Sequence, residues 1–213
     1  MDGRTLEAVR YLGYGNHAID DCTLELISSS FKELETAESR RIVYRIFDVS
    51  LEDADCVMIG TMKIKSRKLG INLEGCERAV LLGATLGTGV DLLLRRYALT
   101  DMARVVVLQA CAAAMLEEYL DDWQEDLRME QKKEGYYLRP RFSPGYGDFS
   151  VEHQKEFLRM LDASKRIGLS VTDGHMLTPS KSVTAVIGLG RYSVSCHQSG
   201  CRECEKADCA YRR

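Results

Sequence analysis

Apolar residues at Leu24, Ile27, Phe31 and Leu34 recur at helical spacing behind Asp20-Asp21-Cys22-Thr23, whose carboxylates suit an N-cap. This pattern predicts a helix from there to about residue 38. Residues 41–49 alternate instead, with Ile42, Val43, Tyr44, Ile46 and Val49 favouring a strand. Residues 6–12 are mixed and suit either a strand or the start of a helix. Residues 66–69 form a short helical turn closed by Gly70, and residues 76–86, rich in Val and Leu, make a buried strand ending in Gly87-Thr88-Gly89. The strongest pattern is a helix from Asp101 to about Lys133. Its first half (Val105, Val106, Leu108, Ala110, Ala112, Ala113, Ala114) is apolar nearly all round, which predicts packing on several sides. Its second half is heavily charged and is expected to emerge into solvent. Ser150 caps a further helix over 151–163, with Glu152 and His153 in its first turn and Phe157, Leu158 and Leu161 inward. Gly168 ends the connection that follows, and two late strands fall at 169–172 and 183–189. Together these elements make an α+β fold with a bent antiparallel sheet flanked by helices, one of them long and central.

Length and composition narrow the functional classes. The chain has 213 residues, 45% hydrophobic and 29% charged, enough to bury a substantial core. Its net charge of −3 offers no basic surface for nucleic acid. The longest apolar run, 105–116, contains Gln109 and is too short to cross a bilayer. Met1-Asp2-Gly3-Arg4 leads into a mixed, charged segment without a signal-peptide core, so the expectation is a cytoplasmic protein.

Cysteine is unevenly used. Cys22, Cys56, Cys76 and Cys111 sit among apolar neighbours and read as small buried hydrophobes. Cys196, Cys201, Cys204 and Cys209 crowd together at x4, x2 and x4 spacing in a polar tail that offers no core to bury them. Thiolate sets of this density bind zinc or an iron–sulfur cluster, and the spacing does not choose between them. His17, His153 and His175 are scattered and suit surface or capping roles. No Ser/His/Asp order or paired carboxylates stand out, so no residue is assigned to catalysis.

Proline marks the other candidate site. All three prolines fall in two segments, Arg139-Pro140-Arg141-Phe142-Ser143-Pro144-Gly145-Tyr146 and Met176-Leu177-Thr178-Pro179. Proline fixes φ and removes a donor, so both segments are stiff and non-helical. The first carries guanidinium groups beside Phe142 and Tyr146. Arginine forks hold carboxylates and aromatic faces hold cations, so a ligand with both, such as an amino acid or a sulfonium, suits it. The glycine-rich segment 83–89 matches neither G-x-G-x-x-G nor a P-loop and reads as a close strand-to-helix turn.

Four segments in order then carry a resemblance. They are Arg141-x-Ser143-Pro144-Gly145-Tyr146, Glu152-His153-Gln154-Lys155, Gly168-Leu169-Ser170-Val171-Thr172 and Met176-x-x-Pro179-x-x-Ser182-Val183-Thr184. In order and spacing this resembles the activation (reactivation) domain of cobalamin-dependent methionine synthase, over about fifty-five residues. The helix ending in Leu116-Glu117-Glu118-Tyr119-Leu120 is similar to the one preceding the loop in that family; the family's D-W-T-P-F-F segment has no counterpart. The resemblance implies a domain over 1–193 that binds S-adenosylmethionine, followed by a cysteine-rich tail over 194–213. It implies that Arg141 contacts the ligand, with Ser143, Gly145 and Tyr146 lining the site. Arg191 and Tyr192 match a late basic–tyrosine pair. It further implies action in trans on a corrinoid-binding methionine synthase or related corrinoid protein, with cobalamin held by that partner and flavodoxin or ferredoxin as reductant. The alternative is a zinc or iron–sulfur electron-transfer or interaction module of corrinoid metabolism that does not bind S-adenosylmethionine.

Overall fold

The computed structural model describes residues 1–14, 19–53 and 55–192. In chain order the first elements are α1 (Gly3–Tyr11), α2 (Asp21–Ala37), β1 (Arg41–Asp53), β2 (Cys56–Ile59), β3 (Met62–Lys65), α3 (Arg67–Asn72) and β4 (Cys76–Thr85). There follow α4 (Thr88–Ala98), α5 (Met102–Lys133), β5 (Tyr137–Leu138), α6 (Gln154–Leu161), α7 (Ala163–Ile167), β6 (Ser170–Val171), β7 (Leu177–Thr178) and β8 (Ser182–Gly190). The described residues group into two compact units. One holds α1, α2, α4 and α5 up to Asp122; the other holds the strands, α3, α6, α7 and α5 from Trp123. The α+β reading and the long helix are borne out.

In the strand-bearing unit, six antiparallel strands lie in the order β3-β2-β1-β4-β8-β5. β4 is central, and its residues from Ala79 to Thr85 are buried on both faces, which explains the unbroken apolar run. On one face Val43, Leu81 and Val186 join Phe149, Phe157, Leu161 and Leu169 in one core cluster. On the other, the Trp123 ring meets Tyr44 edge-on with centroids 5.1 Å apart. Burying each large apolar side chain of the core cluster stabilises by about 1.5–3 kcal/mol.

The helical unit is organised by caps and ion pairs. Asp2 and Asp20 accept from the backbone N–H of Thr5 and Thr23 and start α1 and α2. Asp101 likewise accepts from Arg104 N at the start of α5. Cys111 lies buried against α2, and desolvation pushes its thiol up to about 12, as a small core hydrophobe requires. The glycine-rich turn has a packing cause. Gly87 takes φ +86°, and a Cβ at Gly89 would lie 2.0 Å from the Ala37 carbonyl oxygen at the end of α2.

The structure differs from the sequence expectations in several places. Residues 3–11 are helix, capped by Asp2, which decides between the two readings open for 6–12 and starts the element earlier. Gly70 does not close its turn; α3 runs through it to Asn72. The 151–163 helix is a 3-10 turn (Val151–His153) and α6, ended by Asp162 at φ +53°, before α7 restarts. Val106 is 56% exposed, so the first half of α5 is not packed all round. Its charged half keeps Leu127 and Gln131 buried. Cys22 is exposed on α2 and Cys76 only partly buried, unlike Cys56 and Cys111. The four tail cysteines and His17 lie outside the described residues.

Candidate functional site

Beyond β5 the chain continues along β8 as the segment expected to bind a ligand. Arg139 N donates to Gly188 O at 2.8 Å, and Phe142 and Val186 exchange backbone hydrogen bonds at 2.9 Å each. Side chains alternate across such a segment, so Phe142 turns to the core while Arg141 faces the opposite side, towards α5. There the half-buried Arg141 donates from Nη1 to Gln124 Oε1 at 3.0 Å. A neutral amide thereby orients the guanidinium. Arg139 serves the fold instead. It is buried, and its Nη2 donates to Glu74 O at 3.0 Å.

The loop after Phe142 is closed on itself. Gly145 N donates to Phe149 O at 2.7 Å, Tyr146 N to Ser143 O at 3.0 Å and Phe149 N to Tyr146 O at 3.0 Å. Gly145 and Gly147 take φ +98° and +60°, a conformation glycine adopts without steric cost. Phe149 is 1% exposed and stacks on Phe142 with centroids 6.4 Å apart. Between these anchors Ser143 is half-buried and Gly145 exposed, and Tyr146 projects with 68% of its surface open.

Asp148 ties the loop to α3. Its carboxylate accepts from Ser66 Oγ at 2.5 Å, Arg67 N at 2.9 Å and Lys68 N at 3.2 Å. Loss of hydration, the largest single influence, would raise its pKa. The hydrogen bonds from Ser66, Lys68 and Arg67 together outweigh it and hold the group below its ordinary value. A carboxyl depressed in the folded state adds stability above its unfolded pKa of about 3.9, and that stability is lost as pH falls through the lower folded value. Asp148→Asn is therefore expected to lower the urea midpoint at pH 7, with the gap from wild type closing below about pH 4. A gap of equal size at pH 7 and pH 2.5 would contradict the role of the charge.

Arg191 follows β8 on the same sheet face as Arg141, about 13 Å further along by the strand rise, and Tyr192 is the next residue. The Arg191 guanidinium lies 3.8 Å over the Tyr136 ring, and its Nη1 donates to Glu134 O at 3.0 Å. Its Nε reaches Glu77 at 3.3 Å, and Tyr192 is 79% exposed. The structure thus gathers Arg141, Ser143, Gly145 and Tyr146 in one clamped loop and sets Arg191 and Tyr192 apart from it. Sequence reasoning missed the residues that hold the loop, namely Gln124, Asp148 and Phe149. None of the three carries a readable signal: Phe149 stands just before the Ser150 cap, but the fourth position after that cap is Gln154, so no hydrophobic staple is written there.

Two resembling segments meet through a buried hydrogen bond. Thr184 Oγ1 donates to Gln154 Oε1 at 2.8 Å, joining β8 to the start of α6. Ser182 Oγ contacts Pro179 O at 2.6 Å and Thr85 Oγ1 at 2.8 Å. These residues position the sheet rather than a ligand. Among the described residues no group of three or more His, Cys, Asp or Glu is placed to hold a metal ion. No described helix is long and apolar enough to cross a membrane.

The fold and loop define an α+β protein whose antiparallel sheet presents a clamped arginine–tyrosine loop beside β8. No protein-family model matches the chain. No curated protein matches its sequence either. Among solved structures it is similar to a crystal structure of the MetH reactivation domain bound to AdoHcy, with a TM-score of 0.59 and 15% identity. The match covers 86% of this chain and 75% of that one. The fold expected from the resembling segments is thus the fold observed.

Proposed function

We propose that this protein is an S-adenosylmethionine-binding activation component of cobalamin-dependent methionine synthase. The observation that carries the reading is the Arg141 loop, in which an oriented guanidinium and an open phenol stand on backbone fixed at both ends. A stiff site loses little ordering entropy when it binds, so its few polar contacts count more fully towards affinity. The shared fold with a domain crystallised with AdoHcy supports a ligand of that kind.

In this reading Arg141 pairs with the ligand carboxylate, Ser143 and Gly145 line the site, and Tyr146 packs on the sulfonium or adenine. Arg191 stands further along the same sheet face as a second wall, and Tyr192, the next residue, adds its phenol. The chain supports reductive remethylation of a corrinoid held by a partner protein, with flavodoxin or ferredoxin as the reductant. Methyl transfer and redox chemistry are supplied by the ligand and the corrinoid, and this chain binds and orients. The domain spans 1–193. The thiols of Cys196, Cys201, Cys204 and Cys209 form the donor set that zinc and iron–sulfur clusters both take.

Calorimetry with S-adenosylmethionine tests the assignment. Wild type is expected to bind, and Arg141→Ala to weaken binding by roughly 10- to 100-fold, the loss of one charge-assisted pair. No heat at millimolar ligand, or an unchanged affinity in the variant, would remove the proposal. A purified protein that is brown and bleaches on reduction, yet gives no such heat, would favour the electron-transfer module.

A further inference from the structure

An amide meets Arg141 where the surrounding sequence is rich in carboxylates. α5 reads Asp121-Asp122-Trp123-Gln124-Glu125-Asp126 here, and its four acidic side chains are all exposed. Gln124 is half-buried and accepts from Arg141 Nη1 at 3.0 Å. Packing fixes which residue takes that place. Gln124, Leu127 and Gln131 share one face of α5 at three- and four-residue spacing, and Leu127 and Gln131 are buried. The neighbouring Trp123 ring meets Tyr44 of β1 edge-on. Rolling the helix to bring Glu125 to Arg141 would uncover these side chains.

Two carboxylates of the same segments are engaged elsewhere. Asp148 of the loop is held by Ser66 and the start of α3, and Glu125 pairs with Arg128. At position 124 amide and carboxylate differ in charge far more than in shape, and both offer the guanidinium an oxygen acceptor. A carboxylate takes the arginine fork bidentately and cancels its charge. An amide oxygen accepts an N–H and leaves the positive charge in place. A ligand carboxylate is drawn to that charge, and a ligand without one gains nothing from it.

We propose that Gln124 makes this site selective for ligands that carry a carboxylate, because it fixes the direction of the Arg141 guanidinium without cancelling its charge. This selectivity rests on the ligand reading above and names the residue that sets it. Gln124 acts through Arg141 and is a positioning residue; it needs no contact with the ligand.

Calorimetry of the full chain with S-adenosylmethionine and with decarboxylated S-adenosylmethionine, which keeps the sulfonium, amine and adenine, tests this. Wild type is expected to prefer the carboxylate-bearing ligand. Gln124→Glu is nearly isosteric, and circular dichroism checks that it keeps the fold. It is expected to weaken S-adenosylmethionine by roughly 10- to 100-fold, as an internal carboxylate competes for the fork. The decarboxylated ligand should stay within about threefold of its wild-type affinity or bind more tightly, so the preference is lost or reversed. Gln124→Met removes the acceptor without adding charge. It should weaken S-adenosylmethionine by roughly 3- to 10-fold and leave the decarboxylated ligand unaffected, and it carries the test if Gln124→Glu does not fold. A residue that merely supports the fold would weaken both ligands together. A wild type that binds both ligands equally, or variants that keep the wild-type ratio of affinities, would overturn this role of Gln124 and leave the ligand reading standing. A wild type that binds neither ligand overturns the ligand reading and the selectivity with it.

Discussion

Gly89→Ala is expected to destabilise the helical unit by about 3 kcal/mol or more, read as a fall in the urea or thermal midpoint. Alanine normally favours a helix over glycine by about 0.5–1 kcal/mol, so the sign here is reversed by packing. The added Cβ would lie 2.0 Å from the Ala37 carbonyl oxygen, a distance no real contact shows. The obstacle is backbone, so no side chain can swing aside. The end of α2 has little freedom to withdraw, because Glu38 N donates to Leu34 O at 2.8 Å and Ser39 N to Leu86 O at 2.7 Å. Either α2 or α4 must shift, and each carries packed residues with it. Gly3 is the control. It stands in the first turn of α1 with nothing within 4 Å of its missing Cβ. Gly3→Ala should therefore leave stability unchanged or slightly raised. A Gly89→Ala protein as stable as wild type would mean that α4 does not lie against the end of α2.

The same glycine run shows what the chain discloses to a reader of sequence. Its departure from the nucleotide-binding patterns could be read, but the reason for its glycines could not, because Ala37 is fifty residues away in sequence. Long patterns were legible. The α2 face, the continuous apolar run of β4 and the length of α5 each extend over enough residues for periodicity to decide. Short paired elements were not. The β2–β3 hairpin alternates Val57, Ile59, Met62 and Ile64 inward around a Gly60-Thr61 turn, with Gly60 at φ +56°. Four-residue strands give little period to count, although a glycine opening a two-residue turn is itself a hairpin signal. The break between α6 and α7 lies at Asp162, a non-glycine residue in the left-handed region, which composition does not announce. The site followed the same rule. Proline and glycine marked the stiff loop, while its supports, Gln124 from α5 and Ser66 from the start of α3, arrive only through tertiary contacts.

Phe149→Ala is expected to cost about 3–5 kcal/mol of stability, the range for emptying a buried aromatic site. The ring is 1% exposed and belongs to the core shared with Phe157, Leu161 and Val186. It also closes the loop, because its backbone accepts from Gly145 and donates to Tyr146 while its ring stacks on Phe142. Removing the ring therefore loosens the segment that presents Arg141 as well as emptying a core position. Below the lowered midpoint, where the variant is still folded, S-adenosylmethionine should bind with a loss approaching that of Arg141→Ala. Phe149→Leu fills most of the space, costs less, and should retain most of the affinity. The double variant Arg141→Ala/Phe149→Ala separates two accounts of such a loss. If Phe149 acts by seating the loop, the two affinity losses overlap and fall short of their sum. Fully additive losses would place the phenyl ring's effect outside the path to Arg141. An unimpaired affinity in folded Phe149→Ala would show that Arg141 is held by Gln124 and the Val186 bridge alone.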